Sequence, residues 1–165
     1  MGKALVSPAA SFPRPAHWIR KPEERAATAD ERAVHFDQYK QYFEGNNSGL
    51  QGETSYLVFT SQAQFDLIFH PAAINGPNTF LPKGAFDTLV VVATIHRGKA
   101  MREYDVQKVT VNGTRLYVDY TFKDGEAITG SGSFRSPLIL AVAKAHLSKV
   151  TFVENGKEVS TVAIP

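Results

Sequence analysis

The chain has 165 residues, a formal net charge of +2 and no cysteine. That length suits one ordinary domain burying roughly two-thirds of its unfolded surface without a metal or disulfide staple, and the missing thiols exclude a disulfide framework and a thiolate zinc site. The small, dispersed basic excess falls short of a nucleic-acid-binding footprint, and no apolar run approaches the ~20 residues of a membrane-spanning helix.

Residues 1–30 hold Pro8, Pro13, Pro15 and Pro22 among Ala, Ser and charged residues, a composition suited to a tether or an arm lying on a domain surface. Trp18 has two readings there: it docks on the domain and pins the arm, or it anchors a partner, because Trp is enriched at interface hot spots. The start, Met1-Gly2-Lys3 before a short apolar stretch, lacks the longer apolar core of a secretory signal. A chain whose signal or lipoprotein leader had been exchanged for Met-Gly starts this way, and so does a cytosolic protein. Residues 31–165 are expected to form one β-rich domain.

Within 33–43, Phe36, Tyr39 and Phe43 recur at helical spacing, but the aromatic content and the GNNSG turn at 45–49 favour a strand. Residues 55–59 read as a strand. Thr60 or Ser61 then opens a short helix, with Ser61 and Gln64 at capping-box spacing and Phe65, Ile68 and Phe69 on one face, ended by Pro71. His70 falls at that helix C-terminus, where positive charge is favoured. Residues 72–83 form a loop containing Gly, Pro and Asn. The run 89–95 (LVVVATI) is apolar on both faces and belongs in the middle of the core.

Asn112-Gly113, between the β-rich runs 104–111 and 114–122, predicts a type I′ hairpin, because both central positions of that turn need φ > 0. In the second run Leu116, Val118, Tyr120 and Phe122 alternate with Tyr117, Asp119 and Thr121, giving one buried and one wetter face. Asp124-Gly125 marks a further turn and 130–133 (GSGS) a flexible loop. Pro137 bars 136–139 from opening a fully paired inner strand, and 138–143 is another apolar strand. Asn155-Gly156 repeats the hairpin signal between 149–153 and 157–162, so the chain is expected to end in antiparallel sheet. The expected fold is α+β and mostly β: antiparallel sheets, sandwich-like or strongly coiled, with one short helix and a core centred on Leu89, Val91, Leu116, Val118 and Leu140.

Chemistry is sparse. His17, His35, His70, His96 and His146 include no pair at helical or strand ligand spacing, so no metal site is expected. The segment 130–133 is not Gly-x-Ser-x-Gly, since its third position is Gly132. Asp105, Asp119, Asp124 and Glu126 read as solvated strand and turn residues, and no loop has the phosphate-cradling pattern. These observations nominate no catalytic residue and no cofactor. The densest charge, 96–104 (HRGKAMREY), follows the apolar run directly. It is either the solvated end of a hairpin or a contact for an anionic or protein partner, with Arg97, Lys99 and Arg102 as donors and Met101 and Tyr104 as adaptable apolar area.

The order of features from about Phe36 to Phe152 resembles the PrcB-like family, named for a protease complex subunit. Its parts are an aromatic strand into the 45–49 turn, the strand at 56–59, the helix around Gln64 and Phe65, Phe86-Asp87 before 89–92, and 134–139 before a strand ending at Lys144, with Ser136-Pro137 the most specific. The family's Gly-Gly-Tyr-like turn is replaced here by 100–104, where Tyr104 alone matches. The resemblance implies a non-catalytic, extracytoplasmic accessory domain of bacterial origin, exported or lipid-anchored, contacting a protein such as a protease. A hydrolase with a site assembled from distant polar residues and a small-ligand carrier are the alternatives.

Overall fold

The computed structural model describes residues 30–72 and 79–165; Trp18 and the rest of the arm, and the centre of the loop expected at 72–83, lie outside the described residues. In chain order the strands are β1 (Arg32–Ala33), β2 (Phe36–Tyr39), β3 (Tyr42–Glu44), β4 (Thr54–Phe59), β5 (Phe69–Pro71), β6 (Leu89–Gly98), β7 (Arg102–Asn112), β8 (Arg115–Asp124), β9 (Phe134–Ala143), β10 (Lys149–Glu154) and β11 (Lys157–Ala163). Helix α1 (Gln62–Ile68) lies between β4 and β5, and a 3₁₀ turn (Ala85–Asp87) precedes β6. A five-stranded sheet runs β1-β7-β8-β10-β11, a four-stranded sheet runs β2-β9-β6-β4, and β3 pairs with β5 as a ribbon. The fold is mostly β, with sheets that do not close into a barrel.

The run at 89–95 does sit centrally. Because side chains alternate along a strand, Val90 and Val92 face the five-stranded sheet, packing with Leu116, Val118, Leu140, Val150 and Phe152. Val91, Ala93 and Ile95 face the opposite way, against Phe59, Phe65, Phe69 and Phe86. The core expected as one cluster is therefore two, and Val91 belongs with the aromatic layer rather than with Leu116 and Val118. Leu89 is only partly buried, at the edge of the second cluster. The aromatic layer is held edge-on: Phe65 lies 5.4 Å from Phe59 and 5.0 Å from Tyr42, ring centre to ring centre, close to perpendicular to both.

Helix α1 starts where expected. Ser61 Oγ accepts the N–H of Gln64 at 3.2 Å, while Gln64 Oε1 accepts the N–H of Thr60 at 3.0 Å, one residue before the strict reciprocal bond. It ends earlier than expected, at Ile68, because Phe69 to Pro71 extend to pair with β3. His70 is thus a strand residue opposite Phe43, not the helix C-terminus.

One further expectation is corrected, and two others gain detail. Asn155 (φ 52) and Gly156 (φ 85) form the predicted left-handed pair, but Asn112 makes the last rung with Arg115, leaving Gly113 (φ 65) and Thr114 in the turn. Glycine alone at the first central position is the type II′ arrangement. The expectation that Pro137 keeps 136–139 from opening a fully paired inner strand holds, although β9 starts earlier than expected, at Phe134: Pro137 lies opposite Ile95 with a paired strand on that side only. It is tolerated because β2 pairs only with Ile139 to Val142, so at Pro137 one flank of β9 has no strand neighbour to receive an N–H. Finally, β10 pairs antiparallel with β11 but parallel with β8. The intervening strand β9 crosses to the other sheet, so the chain returns beside β8 running the same way.

The aromatic layer leaves Val91 no route to solvent. Val91→Asp should therefore leave no cooperative unfolding transition at 25 °C, since an unpaired charge there costs several kcal/mol against a total of about 5–15 kcal/mol. A sharp urea transition in this variant would contradict the double burial of β6.

Candidate functional site

The charged segment 96–104 turns the chain from β6 into β7, and parity along β6 separates its side chains. His96 shares the inward face with Val90 and Val92, and its Nδ1 lies 3.4 Å from Thr54 Oγ1. Arg97 projects to the other face and reaches the ribbon. Its Nε and Nη2 donate to the two carboxylate oxygens of Glu44 at 3.0 and 2.9 Å, and its Nη1 donates to Ser55 Oγ at 3.0 Å. With side chains 14% and 2% exposed, Arg97 and Glu44 form a buried, forked ion pair. Ser48 donates its hydroxyl to the same carboxylate, and Arg135, opposite Arg97 on β9, donates to Asn46 Oδ1 at 3.2 Å. The loop at 45–53 is thereby tied to the four-stranded sheet.

Lys99 and Arg102 brace the other loop of this end. Lys99 Nζ donates to the carbonyls of Gly130 and Gly132, each at 2.6 Å, and the backbone of Ile128 and Gly125 donates to the carbonyls of Lys99 and Met101. Arg102 donates from Nε and Nη2 to the Asp124 carboxylate at 2.7 and 3.0 Å, and its guanidinium lies 3.5 Å from the Phe122 ring centre. Its side chain is only 9% exposed. The backbone N–H of Arg102 donates to Ser136 Oγ at 2.9 Å and Tyr104 donates its hydroxyl to Ser136 O at 2.8 Å, joining β7 to β9 across the two sheets.

Between the sheets at this end the interior turns polar. Tyr120 donates its hydroxyl to Glu154 at 3.0 Å, and its ring meets Tyr104 edge-on at 5.8 Å. Burial raises the Tyr104 and Tyr120 hydroxyls well above their ordinary values; Arg102 opposes this at Tyr104, and the Glu154 charge adds to it at both. Both remain neutral donors at physiological pH and serve as cross-links. Among the described residues no three His, Asp or Glu side chains converge where a metal ion could be held, and no helix is long and apolar enough to cross a membrane.

Of the residues singled out in the sequence, Arg97, Lys99, Arg102 and Tyr104 are thus brought to one end of the sandwich, each bonded within the chain. The solvated-hairpin picture fails for Arg97 and Arg102, which are mostly buried. Met101, at 53%, and Lys99 are the exposed members, and Trp18 lies outside the described residues. The structure adds Ile128, 38% exposed in the loop that Lys99 holds. An isolated large apolar residue in a polar, glycine-rich stretch was its only sequence signal. Comparison with protein-family models, curated proteins and solved structures found no match to this chain.

Removing one member of the buried pair strands the other. Glu44→Ala should lower unfolding stability by about 3–5 kcal/mol, because the Arg97 charge is left without its partner; urea denaturation with a loss below about 1 kcal/mol would show that solvent compensates. A second expectation concerns acid. The hydrogen bond from Arg102 holds the Asp124 carboxyl below its ordinary value of 3.8, with burial opposing. A lowered folded-state pKa adds stability that is complete above the unfolded value and is lost as pH falls through the folded one. Asp124 is well exposed, so the effect is small. The urea midpoint of Asp124→Asn should accordingly fall less than that of the parent between about pH 5 and about pH 3, and parallel midpoints would contradict this assignment.

Proposed function

We propose that this domain is a non-catalytic accessory module that docks a protein partner at the braced end of the sandwich, with a protease as the class of partner that the PrcB-like resemblance implies. The observation that carries the proposal is the division of labour among neighbouring side chains. Lys99 and Arg102 hold the loops in place, while Met101 and Ile128 stay exposed on those same loops. Apolar side chains on pre-formed loops lose little freedom on binding, and a methionine adapts its shape to what it meets. A location outside the cytoplasm, by export or lipid anchoring, follows from the resemblance.

The hydrolase alternative has less support. Ser136 and His96 lie opposite each other on β9 and β6, but both are buried and Ser136 Oγ already accepts the Arg102 N–H. A nucleophile needs access to its substrate and a base on its hydroxyl.

Both apolar tips are exposed, so Met101→Asp with Ile128→Asp should change stability by no more than about 0.5 kcal/mol each. A partner captured by the parent chain from native extract and then purified should bind the double variant at least about tenfold more weakly by calorimetry, as expected when interface anchors are replaced by charges. Equal affinity in a folded variant would place the contact elsewhere on the domain.

A further inference from the structure

The opposite end of the sandwich has different chemistry. Where β6 and β8 begin and β7 and β9 end, a groove of about 310 Å³ is floored by Val34, Leu89, Val111, Leu116, Val142 and Leu147. Its mouth carries Arg32, His35 and Asp37. His35 Nε2 lies 3.2 Å from Asp37 Oδ1, so the acidic group there already faces a ring nitrogen. Arg32 is exposed and its guanidinium makes no hydrogen bond or ion pair among the described residues.

We propose that this groove binds a small single-chain amphiphile with a carboxylate head, its alkyl chain on the apolar floor and its carboxylate on Arg32. The apolar floor suits a hydrocarbon, since those six side chains offer no hydrogen-bond donor to a sugar or a base. The volume lies near the lower limit of small-molecule sites, about 300–1,000 Å³, which favours a short single chain over a two-chain lipid. The head-group sign follows from the mouth: the charge there with no partner among the described residues is the Arg32 guanidinium, whose forked N–H groups match a carboxylate. This makes the domain a carrier or sensor of short fatty acids at one end, independently of partner docking at the other.

The test uses the full chain with decanoate, with decyltrimethylammonium as the cationic probe of equal chain length, followed by calorimetry and amide-resolved NMR. Decanoate should saturate a single site and shift the amides of Val34, Val142 and Leu147, and the cation should bind about tenfold more weakly. Arg32→Gln, at an exposed position, should cost decanoate about tenfold and remove the preference between the two probes. Ala145→Trp, on the exposed rim, should abolish binding of both without changing the circular dichroism spectrum. The proposal falls if decanoate does not saturate, if the shifted amides lie elsewhere, or if Arg32→Gln binds decanoate as the parent does. It also falls if Trp18→Ala shifts the groove amides with no ligand added, since the occupant would then be the chain's own N-terminal segment.

Discussion

One constraint organises this molecule: β6 and β9 are apolar on both faces, so each face needs its own cover. The five-stranded sheet supplies one, and α1, the 3₁₀ turn and the β3–β5 ribbon supply the other. A strand buried on both faces cannot sit in a two-layer sandwich with one face wet. The short helix is therefore a structural necessity, since Phe65 is what closes the second core over Val91 and Ile95. The parallel pairing of β8 with β10 has the same origin. Placing β9 beside β6 takes the chain out of the five-stranded sheet for one strand, and it returns with its direction restored.

Polar groups take over where β6 runs out of apolar residues. Thr94 and His96 continue the inward face that Val90 and Val92 begin, opposite a layer containing Tyr104, Tyr120 and Glu154. Burying such groups is costly unless they are hydrogen-bonded; the neutral hydroxyls of Tyr104 and Tyr120 are, to Ser136 O and Glu154, whereas the buried Thr94 hydroxyl has no hydrogen-bond partner among the described residues. The ion pair of Arg97 with Glu44 follows the same rule on the other face. A buried charge pair adds little over a well-packed apolar one, but it does so only in one geometry, which favours a unique placement of the ribbon and the 45–53 loop.

The two ends of the sandwich consequently differ. At the β6–β7 end, cations close to the backbone carbonyls and carboxylates of neighbouring loops leave apolar tips outermost. At the other end the layers meet through short aliphatic side chains, with alanines at 141, 143 and 145, and leave a groove.

What could be read along the chain was what neighbouring residues settle among themselves. The alternation of β8, the Asn155-Gly156 turn, the Ser61 cap and the double-sided run at 89–95 all rest on φ/ψ preference, local hydrogen bonding or strand period. They needed no knowledge of what lay across the fold. The gathering of 96–104 at one end was legible for the same reason, being local. Its electrostatic meaning was not, because Glu44 is 53 positions from Arg97 and Gly130 is 31 from Lys99. Only pairing across sheets turns a solvated-looking charge run into a set of braces. Pro137 teaches the same lesson: whether a missing N–H matters depends on how far β2 extends beside it, a length set by the packed sheet and absent from the sequence around the proline.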